Sequence, residues 1–140
     1  MARDAKLDAL AGMWLFRSFS KKDLAAIGRA SDQVSVPAGR VLCTEGEPGR
    51  EFYLILDGTA LVRRKAKKVA ALGAGQHFGE MALLDRGPRS ATVVAGTPMD
   101  LLVLGQREFS GLIDEVPGLA RKLLTATAAR LREADTKLYG

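Results

Sequence analysis

A mainly antiparallel β domain, a sandwich or barrel with helices on both flanks, is the fold class that this 140-residue sequence predicts. Three observations lead there. Between Val34 and Leu104 the apolar residues fall in seven short runs separated by glycine-containing turns, at the spacing of an all-β sandwich or barrel. Before Val34 and after Gly105 the apolar period lengthens to three or four residues, that of an amphipathic helix. The length supports one core and is too short for two well-packed ones, so residues 1–140 are expected to form a single domain: helices over 1–33, the β unit over 34–104 and further helices over 105–138.

Taken in order, residues 5–16 place Leu7, Leu10, Ala11, Trp14 and Leu15 at helical spacing, with Trp14 and Phe16 as docking side chains. A second helix opens at Ser20, whose hydroxyl can cap a first turn carrying Asp23, and it should stop near Asp32. The seven expected strands are Val34–Val36, Arg40–Thr44, Phe52–Leu56, Thr59–Arg63, Val69–Leu72, Ala91–Ala95 and Leu101–Leu104. Asp57-Gly58, between two apolar runs, is the sharpest hairpin signal. After Gly105, Phe109, Leu112 and Ile113 mark a helix, and Pro117 suits the first turn of a last one running to Leu138. Its stripe of Leu119, Leu123, Thr127, Leu131, Ala134 and Leu138 can lie across the β unit or pair with its copy in a homodimer.

Composition narrows the function classes without choosing one. The chain is 47% hydrophobic and 26% charged, and no apolar run approaches the ~18 residues that cross a bilayer. Its amino terminus lacks a signal-peptide core, so a cytoplasmic protein without a membrane segment is expected. Cys43, the only cysteine, can build neither an internal disulfide nor a thiolate metal cluster and reads as a buried structural thiol. A net charge of +5 permits attraction to any anion, nucleic acid included. The basic run Arg63, Arg64, Lys65, Lys67, Lys68 has no interleaved aromatics, and no helix-turn-helix follows the β unit. It is expected to be a solvated hairpin tip, and no DNA-binding domain is expected in these residues.

The chemistry concentrates between Phe78 and Ala95. Gly79 allows a close backbone approach, and Glu80 to Leu84 can form one helical turn whose free N–H groups, including those near Met81 and Ala82, make an anion site. Gly87-Pro88 turns the chain so that Arg89 emerges at the mouth of a strand, where its guanidinium can fork onto a phosphate, with Ser90 and Ala91 beside it. A carboxylate for a sugar diol and a cation with free amides for a phosphate suit a nucleotide whose sugar and phosphate lie close together, as in a 3′,5′-cyclic nucleotide. The plainer alternative on chemistry alone is a surface ion pair of Glu80 with Arg89.

The segment Phe78-Gly79-Glu80-Met81-Ala82-Leu83-Leu84, followed by Pro88-Arg89-Ser90-Ala91-Thr92-Val93, resembles the phosphate-binding cassette of the cyclic nucleotide-binding domain family, that of catabolite activators, protein kinase A regulatory subunits and cyclic nucleotide-gated channels. Val36-Pro37-Ala38-Gly39, Glu45-Gly46, Phe52 to Gly58 and Leu72-Gly73-Ala74-Gly75 are similar to its strand and turn signatures, and the likeness spans residues 14–132. The resemblance implies a jelly-roll β-barrel with amino-terminal helices and carboxy-terminal hinge and lid helices, and a cassette over 78–92. It implies that Glu80 takes the ribose 2′-hydroxyl, Arg89 the cyclic phosphate and Ser90 the phosphate as well, with Gly79, Met81, Ala82 and Ala91 completing the cradle. The base would rest on Val62, Ala70 and Leu72 under a cap from the last helix, Arg130 first, then Leu131 or Arg132.

By the same resemblance the ligand is cyclic AMP in preference to cyclic GMP, no cofactor is needed, and binding switches the carboxy-terminal helices about Glu115-Val116-Pro117-Gly118 toward a protein partner or output domain. An enzyme is not expected: His77 is the only histidine, and no nucleophile or metal cluster accompanies Glu80 and Arg89. The alternatives left open are a ligand-free interaction scaffold of the same fold, or the regulatory part of a longer transcription factor or channel.

Overall fold

The computed structural model describes the chain at residues 5–80, 83 and 87–139, of which residues 5 and 134–139 are described by their backbone. The elements run α1 (Ala5–Ala11), a turn of 3-10 helix (Trp14–Phe16), α2 (Lys21–Ala30), β1 (Asp32–Val36), β2 (Val41–Cys43), β3 (Glu51–Asp57), β4 (Ala60–Arg64), β5 (Lys67–Leu72), β6 (His77–Phe78), β7 (Thr92–Ala95), β8 (Met99–Gly105), α3 (Gln106–Glu115) and α4 (Leu119–Tyr139). Two four-stranded antiparallel sheets face each other, ordered β1-β8-β3-β6 and β2-β7-β4-β5. They do not close into the expected barrel, and the jelly-roll-like strand order is that of a sandwich.

The helices cover the outer face of the first sheet, so that sheet is buried on both sides. This is why β3 and β8 read as unbroken apolar runs instead of alternating ones. Phe52, Leu54, Leu102 and Leu104 face the helices and pack with Leu15, Phe16, Ile27, Phe109, Leu119 and Leu123. Tyr53, Ile55, Met99 and Leu101 face the opposite way and meet Ala60, Val93, Ala95 and Cys43 of the second sheet. Each fully buried side chain of this size contributes about 1.5 to 3 kcal/mol, so the double burial of β3 and β8 makes them the structural spine. Burial pushes the Cys43 thiol up to about 11, with the Arg89 charge pulling it partly back.

Several expectations need correction. The first helix ends at Ala11, and Gly12 and Met13 lead into the separate 3-10 turn that buries Leu15 and Phe16. Ser20 does cap α2, accepting from the Asp23 N–H at 3.1 Å. Pro117 lies before α4, which starts at Leu119, and Gly118 takes the left-handed φ of +86° in the connection.

Asp57-Gly58 is not a hairpin: β3 and β4 belong to different sheets, and the pair forms the corner between them. Gly58 has φ +96°, and a Cβ there would lie 2.5 Å from the Pro98 carbonyl oxygen, so glycine is needed for the crossing itself. The true hairpin joins β4 to β5 through Lys65-Ala66, at φ 52° and 66°, and carries the basic run at its exposed tip as expected. The stripe on α4 divides. Leu119 and Leu123 are buried against the body of the domain, whereas Leu131 is 67% exposed and the side chains of Ala134 and Leu138 lie outside the described residues.

Candidate functional site

β6 brings His77 and Phe78 to the edge of the first sheet, paired with Leu54 and Tyr53, and Phe78 stacks on Tyr53 at 4.7 Å between ring centroids. The chain then turns at Gly79, φ +93°, into a helical residue at Glu80. A Cβ at Gly79 would stand 2.8 Å from Arg89 Nη1 and 2.8 Å from the Glu51 carbonyl oxygen. Glycine is required there both for the left-handed backbone and for the space that the guanidinium fills. Leu83 is helical and buried in the core as an anchor, whereas Met81, Ala82 and Leu84 lie outside the described residues.

Arg89 is 8% exposed. Its Nη1 donates to the Gly79 carbonyl at 2.9 Å and its Nη2 to that of Glu51 at 2.8 Å. The backbone around it is fixed too, because the Arg89 N–H donates to Glu47 O and the Arg89 carbonyl accepts from the Gly46 N–H. Among the described residues no carboxylate pairs with this buried cation, so the ion pair of Glu80 with Arg89 that sequence chemistry alone allowed does not form. Its positive charge is held in place by two carbonyl dipoles, with no carboxylate bonded to it among the described residues.

Glu80 is 2% exposed and belongs to a different network. Its Oε1 accepts from Arg130 Nη1 at 2.8 Å, and Arg130 Nη2 donates to the His77 carbonyl at 2.6 Å. The ring nitrogen His77 Nε2 stands 3.6 Å from the same Oε1. Burial by itself would raise the Glu80 carboxyl, yet His77 and then Arg130 outweigh it and hold the group below the ordinary glutamate value. Arg130, expected as a cap over the base, does reach the site from α4, but its hydrogen bonds go to Glu80 and His77.

The remaining candidates lie on the inner face of the second sheet and at its rim. Val62 pairs with Ala70, and Leu72 pairs with Ala60, so Val62, Ala70 and Leu72 form one apolar patch beside β5, which is an edge strand. Val62 and Leu72 are half-buried and Ala70 is exposed. Ser90 is exposed, its carbonyl taking Arg64 Nε at 3.2 Å, and Ala91 is buried next to it.

Sequence reasoning missed Glu51, whose contribution is a carbonyl that no side-chain pattern reveals. It also gave His77 no part in the site, although a lone histidine three residues before the key carboxylate was a visible signal. His77 is 6% exposed. Two cavities flank the site without including Glu80 or Arg89. One of about 320 Å³ opens between the sheets at β1 and β2, and one of about 300 Å³ lies under α4 among Trp14, Leu15, His77, Ala126, Ala129 and Arg130. Among the described residues no cluster of three or more His, Cys, Asp or Glu could hold a metal ion, and no helix is long and apolar enough to cross a membrane.

Known proteins resemble this chain in sequence and in fold. The cyclic AMP receptor protein of Thermus thermophilus is 38% identical over 107 residues, covering 73% of this chain and 50% of that protein. A cyclic nucleotide-gated potassium channel of Mesorhizobium japonicum is 38% identical over 125 residues, covering 89% of this chain and 34% of the channel. The chain thus spans half or less of the length of these relatives. Among solved structures, the catabolite activator protein of Thermus thermophilus superposes with a TM-score of 0.82 at 33% identity, over 89% of this chain and 61% of that one. A cyclic nucleotide-binding domain from Methylobacillus flagellatus gives 0.80 at 32%, over 94% and 79%. The family model for the cyclic nucleotide-binding domain matches residues 33–116, and the chain belongs to that family.

Proposed function

We propose that this chain is a sensor domain that binds a 3′,5′-cyclic nucleotide, cyclic AMP in preference to cyclic GMP, and reports occupancy through α4. The observation that carries the reading is Arg89, a buried guanidinium oriented by two backbone carbonyls and lacking an acidic partner among the described residues. A cyclic phosphate would supply the missing negative charge through charge-assisted hydrogen bonds, each worth about 1.5 to 3 kcal/mol. Glu80 would accept the ribose hydroxyl, Gly79, Met81, Ala82, Ser90 and Ala91 would complete the phosphate cradle, and the apolar patch of Val62, Ala70 and Leu72 would seat the base.

The name of the Thermus receptor supports cyclic AMP as the ligand. Because the relatives extend well beyond the matched region, an output domain or protein partner is part of the proposal. Leu124 and Leu131, seven residues apart on α4 and 69% and 67% exposed, support a seam with a second copy of the chain.

Titration calorimetry with both cyclic purine nucleotides tests the reading. Cyclic AMP should bind more tightly than cyclic GMP, and Arg89→Ala should weaken binding at least about tenfold. At about 100 times its dissociation constant the ligand should add about 2.7 kcal/mol of stability. Unchanged affinity in the Arg89→Ala protein would remove the phosphate role.

A further inference from the structure

Two groups contend for one oxygen, Glu80 Oε1. Arg130 Nη1 holds it at 2.8 Å, while His77 Nε2 stands 3.6 Å away and makes no hydrogen bond among the described residues. His77 touches both sides of this contest, since its own carbonyl receives the second Arg130 nitrogen at 2.6 Å. Phe52 of β3 meets its ring edge-on at 5.6 Å, and among the described residues the charged groups facing it are Glu80 at the start of the cassette and Arg130 from α4. A neutral ring forms no useful hydrogen bond across 3.6 Å, and its nitrogen stays buried and unsatisfied. A protonated ring turns that contact into a charge-assisted bond that draws in toward about 2.8 Å. Two cations then meet at a single carboxylate oxygen, and Arg130, with its side chain 41% exposed, is the one with access to water.

We propose that His77 is a positioning residue for Glu80, whose proton competes with Arg130 for the carboxylate, so that α4 docks less firmly and nucleotide affinity falls as the pH drops. The affinity part rests on the reading above, in which Glu80 takes the sugar hydroxyl and α4 covers the site. The docking part does not. By reciprocity, nucleotide binding that favours the Arg130–Glu80 contact should expel a proton.

The ligand-free protein carries its own reporter of docking. Trp14 is the only tryptophan, it lines the cavity under α4 together with Arg130, and Lys122 of α4 sits 5.2 Å from its ring centroid. Its fluorescence should therefore change as the pH falls from about 8 to about 5.5. The change should vanish in both His77→Gln, which keeps a polar group, and His77→Phe, which keeps a ring, with melting temperatures confirming that each variant is folded. Calorimetry with cyclic AMP over the same range should show the wild-type affinity falling about tenfold while both variants stay flat. Either a flat wild-type profile or the same profile in the folded variants overturns the proposal. If neither cyclic nucleotide binds at any pH, the sensor reading fails, and the ligand-free Trp14 titration still decides the role of His77.

Discussion

The two ends of the site are held by different kinds of group. Arg89 is fixed by main-chain carbonyls of Gly79 and Glu51, which belong to the turn after β6 and to β3. Glu80, one residue beyond Gly79, is held by the side chain of Arg130, fifty positions away on the last helix. The first arrangement exists wherever the sandwich is folded. The second exists only while α4 is docked. On the proposed sensor reading, the phosphate would meet the end set by the fold and the sugar the end that α4 holds, which is what a sensor needs, since binding can shift an equilibrium only through contacts that differ between its two states.

The sharpest way to break this asymmetry is Gly79→Ala, which attacks the fixed end. The added methyl meets both Arg89 Nη1 and Glu51 O at 2.8 Å on a left-handed backbone. A loss of about 2 to 3 kcal/mol in urea unfolding is expected, together with loss of nucleotide binding in calorimetry. Full affinity in this variant would mean that Arg89 is not preset.

Arg130→Gln probes the end held by α4 and should have a smaller, selective effect. Nucleotide affinity should drop about tenfold, while unfolding stability changes by no more than about 1 kcal/mol because the contact is partly solvated. Small-angle scattering should show α4 released in the variant without ligand. If stability falls as far as in Gly79→Ala, the helix is part of the fixed frame and the comparison collapses.

Acid should separate the two ends in the same sense. The folded-state Glu80 carboxyl lies below its unfolded value of about 4.5, so its contribution to stability is complete above that pH and is lost as the pH falls through the folded value. Glu80→Gln should therefore flatten the acid limb of a stability–pH curve measured by chemical denaturation. An unaltered acid limb would show that Arg130 and His77 do not stabilise the carboxylate.

The smallest expected effect is a control that touches neither end. Replacing Lys65-Ala66 by Asn-Gly should stabilise the domain by about 1 kcal/mol, because both positions have positive φ and Asn-Gly suits such a hairpin tip. Nucleotide affinity should stay as it was.

How much of this was legible in the sequence follows from which forces are local. The seven apolar runs mark strands because β3 and β8 are buried on both faces and the rest are bounded by turns. β6, with two residues, is too short to carry a pattern. Asp57-Gly58 has hairpin chemistry, but that chemistry specifies a sharp bend and does not say whether the next strand stays in the same sheet. The real hairpin tip, Lys65-Ala66, has no glycine to betray it. In the site, Gly79, Glu80 and Arg89 stand out because they lie within a dozen residues of one another. The carbonyl of Glu51 and the reach of Arg130 to Glu80 depend on packing between distant segments, and the family likeness that named Arg130 for the base gave no sign of its hydrogen bonds to Glu80 and His77.

Cys43 offers a practical advantage. As the only thiol in the chain, buried and with its ionisation pushed up to about 11, it should stay inert to maleimides at neutral pH while the domain remains folded. A second cysteine placed at exposed Leu131 would then take a dye alone, without any need to strip the native sulfur, and the movement proposed for the last helix could be followed by energy transfer from Trp14 to that dye.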